Sequence, residues 1–166
     1  MRRLIAWAGS SRAADRRIVL LTESVARLIR EAAVRAHPRE TGGILVGVWA
    51  DGRPWVTHAC EVESRESGPA HYVLPAGATR GLVGQLHCAD PRLGYLGDWH
   101  THPMDAPASG LDRQTVRTLT GTVDSGDGET VLLVARRHLR DYVIDGHLAD
   151  RRGVRPASIV RTGDLE

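Results

Sequence analysis

The chain has 166 residues and contains no lysine, no asparagine and no phenylalanine, so all 22 of its basic residues are arginine. A GC-rich coding sequence explains the three absences together. An enzyme acting on lysine conjugates would also gain by not becoming one, but that leaves the missing Asn and Phe unexplained. No apolar run is long enough to span a bilayer. The start, MRRLIAWAGSSRAADRR, has a basic tip but only a short apolar run, which argues against a secretory signal. Cysteine is scarce. Cys60 and Cys88 stand far apart and form neither a CxxC pair nor a disulfide framework. That pattern reads as a cytoplasmic protein with reduced thiols. The formal charge is only +2 and no basic block is present, so nucleic acid is not an expected partner, and neither is a membrane.

What remains is enough chain for one domain with a real core. Residues 1–17 read as a flexible N-terminal arm, 18–150 as the folded domain, and 151–166 as a C-terminal tail with little pattern. IVLLT (18–22) reads as a buried strand, and Thr22 as the N-cap of a helix that ends at His37-Pro38. ETGGILVGVW and WVTHACEVE flank Asp51-Gly52, a hairpin signal. HYVLP (71–75) reads as a short strand. A helix is expected over 78–90, a strand over 93–102, and a helix from Ser109 to Leu119. ETVLLVARR and LRDYVIDG then form a hairpin, after the turn GTVDSGDG. Strands and helices interleave, so the expected fold class is α/β (α+β), with a single mixed sheet flanked by helices.

The stretch GDWHTHPMDAPASGLD carries the chemistry. In a strand, His100 and His102 share one face, roughly 6.6 Å apart, and two imidazoles so placed can converge on one ion. Trp99 and Thr101 then face the core. Pro103 turns the chain out of the sheet. Asp112, in the first turn of the following helix, can supply a third ligand. His, His and Asp suit Zn²⁺. Three protein ligands leave a fourth position open, the pattern of catalytic rather than structural zinc. Asp105, three residues after His102, is a fallback ligand. His58 with Cys60, and His87 beside Cys88, lack further ligands nearby and read as packing residues.

A hydrolytic zinc needs a carboxylate that is near the metal without binding it. Glu40 begins a strand and directly precedes Thr41-Gly42-Gly43. Adjacent glycines let another backbone approach closely, so Gly42 and Gly43 are candidate substrate-binding residues.

Together, ETGGILVG, GDWHTHP and SGLD resemble the JAMM (MPN+, JAB-type) metalloisopeptidases over roughly residues 18–145. The resemblance implies a single mixed, curved sheet flanked by helices, related to the cytidine deaminase fold. It implies one zinc per chain on His100, His102 and Asp112. Glu40 would act as acid/base, and the Ser109 hydroxyl would help hold the oxyanion and the catalytic water. Compact bacterial members of this family act on ubiquitin-like or sulfur-carrier proteins at the C-terminal glycine, some beside operon-encoded activating or conjugating enzymes or in anti-phage operons. The expected function is therefore hydrolysis of an amide bond at such a terminus. One departure is clear: six residues separate His102 from Ser109, where the family usually has seven. The alternative is a non-catalytic MPN scaffold, which usually lacks the Glu or a ligand. RadC-type relatives carry HNHPSG instead, and deaminase chemistry needs a CxxC that is absent here.

Overall fold

The computed structural model describes residues 17–64, 66–120 and 128–164. Residues 1–16 of the expected arm and 121–127 of the expected turn lie outside them. The elements are β1 (Ile18–Thr22), α1 (Glu23–Ala36), β2 (Gly42–Ala50), β3 (Arg53–Glu61), α2 (Ala78–Ala89), β4 (Gly94–His102), α3 (Gly110–Leu119), β5 (Thr130–His138), β6 (Asp141–Asp150) and β7 (Gly153–Thr162). No helix among the described residues is long and apolar enough to cross a membrane.

The mixed sheet flanked by helices is present, but the expectation of a single curved sheet is corrected, because the sheet closes on itself. The seven strands close into a barrel in the order β1-β3-β2-β4-β5-β6-β7. The closing element is β7, which falls in the stretch read as a patternless tail. Residues 153–157 of β7 pair antiparallel with β6, and residues 158–162 pair parallel with β1. β1 in turn pairs parallel with β3, which completes the circuit. β7 lacks a run of buried residues, and it carries Arg155, Pro156 and Arg161. Its partner β1 lies at the other end of the sequence, so local pattern does not reveal the pairing.

The inner face holds one apolar cluster, with Leu21, Leu45, Val56, Leu96, Trp99 and Leu133 all almost fully buried. α1 adds Val25, Ala26, Ile29, Ala32 and Ala33 to it, at the helical spacing seen in the sequence. The cap of α1 differs from expectation. Thr22 makes no side-chain cap, and the Ser24 N–H instead donates to Asp164 Oδ1 at 3.1 Å, from beyond β7. The outer face carries two further clusters. One lies under α2, around Ile44, Val46, Leu93 and Tyr95. The other lies under α3, around Val116, Leu132, Val134 and Ala149. The site opens between them. HYVLP forms no strand; its one ladder contact is a single bridge from Gly68 to His71.

A bulge in β4 sets which residues face outward. Leu45 pairs with Gly97 and Val46 with Tyr95, so Leu96 is the extra residue. The shift puts Leu96 and Trp99 inside, and Tyr95, Asp98, His100 and His102 outside. A Cβ on Gly97 would lie 1.8 Å from the Val131 carbonyl oxygen, so only glycine fits. Gly97→Ala should therefore cost about 3 kcal/mol and lower the melting temperature by roughly 6–12 °C, as read by calorimetry.

Candidate metal centre

β4 brings His100 and His102 to one face, and α3 brings Asp112 opposite them. His100 Nε2 and His102 Nε2 lie 3.1 Å apart. His100 Nε2 to Asp112 Oδ1 is 3.3 Å, and His102 Nε2 to Asp112 Oδ2 is 3.5 Å. Four ligands arranged tetrahedrally at zinc bond lengths are separated by roughly 3.3–3.5 Å. The His100–His102 edge and the two edges to Asp112, which run to different oxygens of its carboxylate, lie near that spacing, and one ligand atom from each residue lies within 4.8 Å of the others. The shorter loop between His102 and Ser109 closes the site.

Two of the three residues are aimed by neighbours. The His102 Nδ1–H donates to the Ala106 carbonyl at 2.7 Å, which leaves Nε2 for the metal. Asp112 is at once a ligand and part of the helix cap. Its N–H donates to Ser109 Oγ at 3.1 Å, and its Oδ2 accepts from the Ser109 N–H, a reciprocal capping box. The N-terminal end of the helix also favours the carboxylate. Burial works against the Asp112 charge, but the two imidazoles and Ser109 outweigh it and hold its pKa well below the ordinary range. Burial likewise favours neutral His102, but Asp112, the Ala106 carbonyl and Glu40 outweigh it and raise its pKa.

Glu40 lines the same cleft and stands outside the ligand triangle. It is nearly buried, at 7% exposure, and burial raises its pKa, with the two histidines opposing and Asp112 assisting. A carboxyl held this way is suited to exchanging a proton. Its placement depends on residues that sequence reading assigned to the core or passed over. Thr101 Oγ1 accepts from the Thr41 N–H at 3.0 Å, and the Thr101 N–H donates to the Thr41 carbonyl at 2.8 Å. The Glu40 N–H donates to the Gly68 carbonyl at 2.7 Å. Ser109 lines the cleft, and its hydroxyl hydrogen remains available while its oxygen caps α3.

Gly42 and Gly43 serve internal packing. A Cβ on Gly43 would lie 1.8 Å from the Cys60 carbonyl oxygen, and one on Gly42 would lie 2.5 Å from the Trp99 oxygen and 2.7 Å from the Tyr72 ring. β2 is paired on both edges, with β3 and β4, so β2 itself offers no edge to an added strand. Asp105, the fallback ligand, points elsewhere. It accepts from Arg136 Nη1, and from His138 Nδ1 at 2.9 Å, which ties the loop to β5.

The family described as prokaryotic homologues of the JAB domain (Prok-JAB) matches residues 22–147. The chain belongs to this family. Its His100-His102-Asp112 cluster is the metal-binding part of a JAMM-type metallopeptidase site. Two relatives agree with this. The probable metalloprotease y4qB of Sinorhizobium fredii (strain NBRC 101917 / NGR234) is 26% identical over 123 residues, 71% of this chain and 75% of that protein. The CD-NTase/cGAS isopeptidase of Enterobacter hormaechei subsp. hoffmannii (strain UCI 50) is 29% identical over 133 residues, 75% of this chain and 70% of that one. The solution structure of protein DSY2949 from Desulfitobacterium hafniense shares the fold, with TM-score 0.66 at 21% identity, over 89% of this chain and 95% of that one.

Asp98 was not singled out from sequence, yet it lines the cleft on the face of His100. Burial lifts its carboxyl to about 6, against a hydrogen bond from the Tyr95 hydroxyl and the His100 charge. A carboxyl with a raised folded-state pKa adds stability below its unfolded pKa and loses it as pH rises through about 6. The stability gap between Asp98→Asn and wild type should therefore move in the variant's favour between pH 4 and 6.5, by up to about 3 kcal/mol, in urea melts of metal-stripped protein. Metal content separates the two aspartates. Asp112→Ala should lose the bound ion and Asp105→Ala should keep it, as read by elemental analysis of the purified proteins.

Proposed function

We propose that the protein is a zinc-dependent isopeptidase or peptidase acting at the C-terminal glycine of a ubiquitin-like or sulfur-carrier protein. The observation that carries this is the His100-His102-Asp112 cluster, whose ligand atoms lie within 4.8 Å of one another in the cleft that also holds Glu40. Zinc held there would polarise the scissile carbonyl and acidify the hydrolytic water. Glu40 takes the water's proton and delivers it to the departing amine. The Ser109 hydroxyl donates to the oxygen that gains charge. No covalent enzyme intermediate is needed, and no nucleophilic side chain is invoked.

The substrate tail lies extended between the segment around Tyr72 and Leu74 and the loop around Met104 and Leu111, all of which line the cleft. The backbone of Val73 and Leu74 makes no hydrogen bond among the described residues, so this segment offers the unpaired edge that β2 lacks. A relative named as an isopeptidase for CD-NTase/cGAS supports an isopeptide bond as the substrate class. Operon-encoded activating or conjugating enzymes are the expected companions, and the scarce, separated cysteines fit a cytoplasmic setting.

The test uses zinc-loaded protein and a carrier–lysine conjugate whose carrier is taken from the neighbouring genes. Wild type should cut after the terminal glycine, lose activity to a chelator and regain it with zinc. Glu40→Gln should keep one zinc and lose about 10³-fold or more in turnover. Retained turnover in that variant removes Glu40 as the base. A wild type that takes up no zinc on reconstitution removes the hydrolase reading.

A further inference from the structure

β1 reads IVLLT, an unbroken apolar run, which is the pattern of a strand covered on both faces. Its inner residues, Val19 and Leu21, belong to the core around α1. Its outer residues, Ile18 and Leu20, belong to none of the three apolar clusters among the described residues. Leu20 pairs in register with Val160 of β7 on one side and with Trp55 of β3 on the other, and Trp55 pairs with Val48 of β2. Paired residues share a face of the sheet, so these four side chains form one apolar row across four strands. Only Val48 touches the cluster under α2, and the cluster under α3 does not reach the row. Val160 is 44% exposed. The Trp55 indole N–H donates to Thr162 Oγ1 at 3.0 Å, so its polar atom is satisfied and the surface left over is apolar. A sheet face that meets water normally carries polar residues.

We propose that this row is the docking site of the chain's own N-terminal segment, with Leu4, Ile5 and Trp7 as the anchors. Residues 4–8 read LIAWA, an apolar run that the metal site does not use. The Arg17 carbonyl accepts from the Ser158 N–H at 2.8 Å, so the chain enters β1 beside β7, at one end of the row. Nine residues, 9–17, separate Ala8 from Ile18, and such a tether reaches up to about 30 Å. The row crosses three strand spacings, roughly 14 Å. The tether is long enough to reverse and lay LIAWA across it, and Gly9-Ser10-Ser11 supplies turn-forming residues for the reversal. Size decides the occupant. An interface between two copies takes about 20–30 residues a side, whereas the row and Ile18 match a single short apolar run. Docked there, the anchors clamp β7, β1 and β3 together where the barrel closes.

The test uses the full chain, isotope-labelled for NMR, with its mass in solution checked by sedimentation. Nuclear Overhauser contacts from Leu4, Ile5 or Trp7 to Leu20, Trp55 or Val160 are expected within a monomer. Absence of every such contact overturns the inference. Contacts seen only between differently labelled chains assign the row to a second copy and overturn it too. Melting temperatures supply the energetic arm, with circular dichroism confirming that each variant is folded. Val160→Ser should lower the melting temperature of the wild type by roughly 2 °C or more. It should lower that of the triple variant Leu4→Ser, Ile5→Ser, Trp7→Ser by about half as much or less. Equal shifts in the two backgrounds overturn the inference. Val34→Ser, at an exposed valine of α1, is the control. It should shift both backgrounds alike, and a difference as large as that of Val160→Ser marks a general effect and overturns the inference.

Discussion

Gly97 lets the β4 backbone come within contact of the Val131 carbonyl, where any side chain would collide. The bulge built around that contact changes the parity of the strand. Before it, Tyr95 faces outward; after it, Asp98, His100 and His102 do. Without the extra residue the histidines would point into the barrel with Leu133 and Val56, and Trp99 would point to solvent. Metal site, cleft and core are thus sorted by one backbone irregularity, and a strand held on both sides cannot slip out of that register.

The site is rigid because its parts also have structural duties. Asp112 closes the α3 cap and completes the ligand triangle with the same carboxylate. The loop between His102 and Ser109 is tied to β5 through Asp105, Arg136 and His138, and Arg136 also donates to Asp145 at 2.6 Å. That anchorage presents the Ala106 carbonyl to His102. On the far side, Thr101 and Gly68 hold the chain at Thr41 and Glu40. The metal cluster and Glu40 are therefore set by hydrogen bonds from three separate parts of the chain, as precise positioning of a reacting group requires.

Much of this was legible from residue types and spacing. The alternation from Asp98 to His102, the proline after HTH, and the serine three residues before Asp112 are local patterns with local causes. So are the amphipathic spacing of α1 and the hairpin of β5 and β6. Other parts were misread for physical reasons. β7 carries charge and a proline, and its identity as a strand depends on β1, far away in sequence. The glycine pair in β2 correctly signalled a close approach, but the sequence could not tell whether a substrate or the protein's own backbone approaches. Here it is Cys60, Trp99 and the Tyr72 ring. Asp105 sits at a plausible ligand spacing, and only the position of Arg136 shows where its charge is matched.

The sequence by itself determined the chemistry: two histidines two apart, an aspartate in a capped first turn, and an acidic residue at the head of a strand. Those patterns are set by backbone periods of 2 and 3.6 and by capping, which neighbouring residues dictate. Only the tertiary structure decided that the sheet closes, that β2 has no free edge, that Asp98 opens on the cleft, and that the segment around Val73 offers an unpaired edge there. Each of these depends on contacts between residues distant in sequence, and single-residue preferences carry no information about such pairings.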